Sequence, residues 1–302
     1  MKPSLPGSLR LLAVLVAGAS LFWLLGCQSG RQRERVHVAP RVAPQRAHSP
    51  APLLAPAPAA TVLKALQPAA RGRARLAIII DDCGQWLHTE RGFIALPIPL
   101  TLSVLPDVRY GSLIASEATA AGKGVMLHLP METISGLNPG PGKVTTEMSD
   151  AQITSQVDAD LAQVPLAQGV NNHEGSKATA DARVMRDVAQ ALKKHGDLFF
   201  VDSMTIGDSV AAAQARDAGL PTASRDVFLD NRANVAYTES QLQQAAGVAL
   251  ARGSAIAIGH PRPTTLAALR AMIPTLRREG VAFVLVSSLV QAPAQPAPEV
   301  PR

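Results

Sequence analysis

Six polar residues stand where strand-like runs stop. Asp81 and Asp82 end the apolar run 76–80, His128 follows residues 125–127, and His173 follows 169–172. Asp202 follows 198–201, and His260 follows 255–259. Three of the seven histidines occupy such ends. His37 and His48 fall in Pro/Ala/Arg-rich sequence, His88 in a loop, and His195 near a helix end. Two or three imidazoles with a carboxylate hold a borderline divalent metal such as Zn2+ and leave a position open. A second carboxylate is then free to take a proton from water acidified by the metal, a combination suited to hydrolysing an amide or ester. Taken singly, a strand-end histidine reads as an ordinary structural side chain. The repetition of the pattern points to one site.

The elements that must position these residues follow from the apolar pattern. Residues 76–80 carry no polar group, which suits a strand covered on both faces in a parallel sheet. Similar runs recur at 100–105, 124–128, 169–173, 198–202, 227–230, 255–260 and 281–286. Between them lie helix-like segments at 112–121, 150–163 (N-cap Ser149 or Asp150), 181–195, 209–218, 239–252 and 264–278. Seven or eight such alternations predict an α/β fold with one parallel sheet, closed or nearly closed into a barrel with helices outside. An open doubly wound sheet is the second choice. Asp-Asp-Cys-Gly stands after the first strand, where a dinucleotide site needs a Gly-rich turn, so a Rossmann reading is weak. The carboxyl ends of parallel barrel strands converge on one rim, which brings the six residues together.

The net charge of +6 belongs to the N-terminal region. Residues 28–75 hold nine Lys or Arg against the single acid Glu34, and Lys2 and Arg10 precede them, leaving −4 for residues 76–302. An acidic folded region argues against nucleic acid as a partner. Lys2 and Arg10 flank an apolar run over 11–25, about fifteen residues, which reads as an export signal and is short for a membrane span. Leu24-Leu25-Gly26-Cys27 resembles a bacterial lipobox with the lipid on Cys27. An uncleaved signal anchor is the alternative. Either way the protein is expected to be exported, tethered to a membrane by its N-terminal lipid or anchor, and to face the periplasm. Domain boundaries follow: a signal or anchor at 1–27, a Pro/Ala/Arg-rich tether at 28–75, a folded domain at 76–290 and a Pro/Ala-rich tail at 291–302. With Cys27 lipidated, Cys83 has no partner within the chain and reads as a small buried filler.

Five motifs then coincide in order: Ile79-Ile80-Asp81-Asp82-Cys83-Gly84, His128-Leu129-Pro130-Met131-Glu132, Asn171-Asn172-His173-Glu174-Gly175-Ser176, Arg225-Asp226-Val227-Phe228-Leu229-Asp230-Asn231 and Gly259-His260-Pro261. Together they resemble the divergent polysaccharide deacetylase family of exported bacterial proteins, related to carbohydrate esterases of the NodB-like type. The resemblance covers about residues 76–290 and implies a distorted (β/α) barrel with a metal-dependent deacetylase site. It implies Asp81 as catalytic base, Asp82 and His173 as metal ligands, and His260 as general acid. The His-x-x-x-His pair of the broader carbohydrate esterase group is broken, because Lys177 stands four residues after His173. His128, on a neighbouring strand, is the candidate replacement ligand.

Glu132 and Asp202 are candidates to orient the histidines by accepting their second N–H, or else capping residues. Arg225 and Asp226 are candidates to bind substrate or to pair with each other, the pair being preferred. Asn171 and Asn172 read as a polar strand end. The expected function is a metal-dependent hydrolase that deacetylates an amino sugar or envelope glycan. The alternative is a non-catalytic glycan- or partner-binding module on the same fold, and a third reading is an anchored scaffold whose basic tether is the working part.

Overall fold

The computed structural model describes residues 74–291. The expected signal or anchor, most of the tether and the tail lie outside the described residues.

Strand β1 (Ala74–Cys83) begins two residues before the expected boundary and is the axis of the sheet. The remaining strands are β2 (Thr101–Val104), β3 (Gly124–Met131), β4 (Gly169–Glu174), β5 (Phe199–Asp202), β6 (Thr222–Ser224), β7 (Val227–Phe228), β8 (Ser254–Gly259) and β9 (Val281–Val284). All ladders are parallel, and the order is β6-β5-β4-β3-β2-β1-β8-β7. One edge of β1 is lined by β8. The other is shared by β9 along Ala74–Ala77 and by β2 from Ile79 onward.

The two ends of the sheet, β6 and β7, are consecutive in the chain, and no ladder joins them. The backbone itself crosses the gap: the Arg225 N–H donates to the Asp202 carbonyl at 3.0 Å and the Asp226 N–H to the Ile256 carbonyl at 2.9 Å. The expected parallel barrel with outer helices is present, distorted at this crossing.

Alternation along the strands divides the core in two. Leu76, Ile78 and Ile80 of β1 pack with Leu127, Val170, Phe200 and Ala257 in the large cluster that includes the helices' apolar residues. Ala77 and Ile79 pack with Met126, Phe199, Val201, Ile256 and Ile258 in a small second cluster, which fills the barrel. The helices are α1 (Leu87–Ile94), α2 (Gly111–Ala120), α3 (Asp150–Gln163), α4 (Ala182–Lys193), α5 (Ala211–Asp217), α6 (Val235–Arg252) and α7 (Pro263–Arg278).

Helix starts follow local chemistry. Ser149 caps α3 in a reciprocal box with Gln152, and the Asp181 carboxylate accepts from Arg183 and Val184 N–H at the start of α4. Helix α6 begins four residues before the expected 239 because Asn234 accepts the Tyr237 N–H. Among the elements not anticipated are α1, eight residues with no clean apolar stripe, and the three-residue β6. Among the described residues no helix is long and apolar enough to cross a membrane.

Candidate metal centre

The barrel-facing positions continue past the apolar layer into the site. Two residues beyond Ile79 stands Asp81, beyond Met126 His128, beyond Val201 Ser203, beyond Phe228 Asp230, and beyond Ile258 His260. A period of two keeps each pair on one face, so one layer packs the barrel and the next supplies the chemistry. Asn171 and His173 share that face on β4, and Asn171 lies in register with His128 of β3.

Asp82 is out of phase and would point toward the helices in a regular strand. A register shift between Ile80 and Cys83 and a left-handed backbone at Asp82 (φ 56°) turn its carboxylate back into the cleft. That conformation costs a non-glycine residue about 1–2 kcal/mol, and Asp is among the residues that tolerate it best. Cys83 continues into the core, buried, with its thiol donating to the Ile80 carbonyl.

Three ligand atoms converge. His173 Nδ1 is 2.9 Å from Asp82 Oδ1, His128 Nε2 is 3.3 Å from the same oxygen, and the two nitrogens are 3.1 Å apart. Ligands about 2.0–2.1 Å from a tetrahedral centre stand about 3.3 Å from one another, so this triangle fits such an ion. Asp82 Oδ1 is buried and accepts no well-formed hydrogen bond even at these distances. Lone pairs aimed at a common point rather than at each other's protons produce that result. The donor set fits a divalent metal.

Asn171, fully buried, sets the protons around the triangle. Its amide nitrogen donates to Asp81 Oδ1 at 2.9 Å and to Ser203 Oγ at 3.1 Å, which fixes which end of the amide is oxygen. That oxygen takes the Ser103 hydroxyl proton and faces His128 Nδ1 at 2.9 Å. His128 therefore carries a proton on Nδ1, and Nε2 is the nitrogen it can offer at the metal position.

Asp81 stands beside the triangle, with Oδ2 3.6 Å from His128 Nε2. Burial pushes its carboxyl above the ordinary range, against the pull of His128, His260 and the Asn171 amide. Burial also opposes the charged form of Asp82, but the facing His128 and His173 outweigh it and hold that carboxyl far below its usual value. The two neighbouring acids are thus driven apart, one toward proton acceptance and one toward permanent charge.

His260 closes the other side, with Nε2 3.7 Å from Asp82 Oδ2. Its Nδ1 faces Asp230 Oδ1 at 2.9 Å, and Asp230 Oδ2 accepts from the His260 N–H and the Thr265 hydroxyl. Burial works against a charged imidazole here, but Asp230, followed by Asp82 and Asp81, raises its pKa above the ordinary value. The surrounding cleft is about 530 Å3 and is also lined by Ser203, Arg225, Phe228 and Arg262.

Several expectations need correcting. Glu132 does not orient a histidine: it accepts from Lys177 Nζ at 2.7 Å and from the Thr146 N–H and hydroxyl. Lys177 is thereby committed to an ion pair. For Asp202 the alternative of a turn residue is the one present: at the end of β5 it accepts from the Met204 N–H and the Ser209 hydroxyl. Arg225 and Asp226 do not pair, because successive residues at the barrel gap point to different sides. Arg225 lines the cleft and donates to the Ser203 and Met204 carbonyls, while Asp226 faces Arg252 and the Ile256 N–H.

The residues missed were Asn171 and Asp230. Period two from His173 marks Asn171, and the spacing of Asp230 beyond Phe228 marks the acid beside His260.

Comparison with known proteins shows the family and the fold. Residues 78–290 match the sequence profile of the family described as divergent polysaccharide deacetylase. The uncharacterized protein YibQ of Escherichia coli (strain K12) is 37% identical over 219 residues, covering 72% of this chain and 68% of that one. An uncharacterized protein of Haemophilus influenzae (strain ATCC 51907 / DSM 11121 / KW20 / Rd) is 38% identical over 205 residues, 68% of this chain and 72% of its own. The crystal structure of the uncharacterized protein ATU2773 from Agrobacterium tumefaciens C58 shares the fold, with a TM-score of 0.69 at 23% identity over 76% of this chain and 94% of that one. The chain belongs to the divergent polysaccharide deacetylase family.

Proposed function

We propose that this protein is a metal-dependent hydrolase that removes acetyl groups from an amino sugar of a cell-envelope glycan. The observation that carries the reading is the meeting of Asp82, His128 and His173 at one point, with Asp81 and His260 at its margins. Asp82, His128 and His173 would hold the ion, and two imidazoles with one carboxylate favour zinc. A divalent cation at this position supplies positive charge that polarises an acetyl carbonyl and acidifies water.

The chain's own residues do the rest. Asp81, its basicity raised by burial, takes the proton of the attacking water. Asn171 holds Asp81 by Oδ1, so that Oδ2 faces the cleft. His260, held protonated by Asp230, gives its Nε2 proton to the departing amine nitrogen as the C–N bond breaks. The guanidinium of Arg225, beside the cleft, adds positive potential near Asp81. The reading of the N-terminus as an export signal with a lipid or anchor supports an envelope substrate, with the tether holding the domain near the membrane.

Metal analysis of the purified protein with an acetate-release assay on acetylated glycans tests this. About one equivalent of zinc in the wild type, lost in Asp82→Asn and His128→Ala, is expected. Asp81→Asn should keep the metal and lose roughly a hundredfold or more in kcat. A protein that binds zinc through these residues but releases no acetate from any acetylated glycan is a binding module. One that binds no metal overturns the proposal.

A further inference from the structure

The strand that supplies both acids is one residue too long for its partner. Between the pairs Ile80–Leu102 and Cys83–Val104, three steps along β1 face two along β2, and the extra residue is taken up at Asp81 and Asp82. A left-handed non-glycine residue in such a bulge persists only where its surroundings over-determine it. On the near side the ladders to β2 and β8 both run to Ile80 and hold the strand. On the far side the chain leaves the sheet after Cys83 and enters the turn before α1, so the restraint there must come from outside the sheet.

Glu90, the fourth residue of α1, supplies it. Its side chain is fully buried, and one carboxylate oxygen accepts the consecutive N–H groups of Gly84, Gln85 and Trp86 at 2.9, 3.0 and 2.8 Å. The Glu90 N–H donates in turn to the Trp86 carbonyl at 3.0 Å, which locks helix and turn together. Two more bonds fix the turn's carbonyls, from the Leu105 N–H to Cys83 at 3.1 Å and from the Tyr110 N–H to Gly84 at 3.0 Å. Gly84 admits this path with φ +105°, and any Cβ there would strike Val108. The second Glu90 oxygen is buried without a partner. Burying a carboxylate in this way is costly, and what offsets it is three backbone bonds, all on the segment that starts two residues after Asp82.

We infer that Glu90 is a positioning residue for the metal centre. By fixing the turn 84–86 it keeps Asp82 left-handed (φ 56°) and holds the Asp82 carboxylate 2.9 Å from His173 Nδ1. The inference rests on the metal-centre reading above. With the turn released, the strand can relax toward regular alternation, which carries the Asp82 side chain away from the barrel face and opens the ligand triangle.

Zinc affinity of the full chain by chelator competition, together with the metal-free crystal structure of the variant, tests this. Glu90→Ala should weaken zinc binding roughly 10–100-fold. Glu90→Gln keeps an acceptor oxygen but loses its charge, and should limit the loss to about threefold. Phe93→Leu alters a fully buried side chain of the same helix that takes no part in the turn's hydrogen bonds, and should bind zinc as the wild type does. Equal affinity in Glu90→Ala and the wild type overturns the inference, and so does an equal loss in Glu90→Ala and Phe93→Leu, which would mark a merely structural role. If Glu90→Ala does not fold, Glu90→Gln decides, and wild-type affinity in that variant overturns the inference. A wild type that binds no zinc refutes the metal-centre reading, and the crystal structure of the folded Glu90 variant then decides the positioning alone. An Asp82 carboxylate displaced from His173 upholds it, and one still at hydrogen-bond distance overturns it.

Discussion

Asn171 shows how much one buried amide decides. It grips the proposed base and a proposed metal ligand at once, so its loss should register in metal affinity before it registers in folding. Asn171→Leu removes the acceptor that holds the His128 proton on Nδ1, and zinc affinity should fall roughly 10–100-fold in a chelator competition. Unchanged affinity would mean that packing alone orients the ring. The acid and base give a second residue-level expectation. Asp81 must be unprotonated and His260 protonated, so kcat/KM should rise through the raised pKa of Asp81 and fall through the raised pKa of His260. Asp230 stabilises the imidazolium, so Asp230→Asn should move the alkaline limb to lower pH while leaving the acid limb near its place. A pH–rate profile of the two proteins decides it. Asn171 escaped the sequence reading for a physical reason: an amide at a strand end serves turns as readily as sites, and while period two from His173 puts it on the site's face, the register with His128 is what makes it a partner.

At the level of elements, strand alternation was legible because apolar runs ending in acids or histidines recur, and the even spacing of parallel strands carries them to one rim. What was not legible was short or bent. Helix α1 is pinned by Glu90 rather than by an apolar stripe, β6 is three residues long, and the kink that turns Asp82 inward leaves no mark in the residue pattern. Glu132 looked like a partner for histidine because a carboxylate can accept a second ring N–H, but Lys177 and Thr146 claim it. Helix α3 carries a separate consequence. Asp160 is fully buried, accepts from Gln156 through one oxygen, has no partner for the other, and is pushed up to about 7 by burial. The folded state therefore holds a proton that the unfolded chain releases near pH 4. Between about pH 4 and 7 the folded protein binds more protons, so this group makes stability fall as pH rises, by at most about 1.4 kcal/mol per pH unit. Asp160→Asn should flatten that part of the curve and raise the melting temperature at pH 8, and a variant no more stable than the wild type at pH 8 would refute the account.

Across the whole molecule the ligand triangle reaches over an intervening strand, from β1 to the neighbouring pair β3 and β4. Asp82 comes from β1, His128 from β3 and His173 from β4, with β2 between β1 and β3 supplying only the Ser103 hydroxyl beneath. The apolar barrel layer lies under the site and does not depend on an ion, so the metal-free domain should fold. In the metal-free rim burial opposes a charged His128, but Asp81 and Asp82 raise its pKa to about 8, so a proton stands in for the cation, and an ion that binds only the folded state takes its place and stabilises by mass action. At free zinc about a hundredfold above Kd the stabilisation is about 2.7 kcal/mol. For a domain of this size that corresponds to a melting temperature about 5–10 °C higher. His128→Ala should lose nearly all of that zinc-dependent rise while its metal-free melting temperature stays within a few degrees of the wild type's. His260→Ala, which removes the acid but no ligand, should keep the rise. A thermal melt of the three proteins with and without zinc thus distinguishes a metal that bridges β1, β3 and β4 from one that includes His260, and an equal rise in all three would place the ion elsewhere.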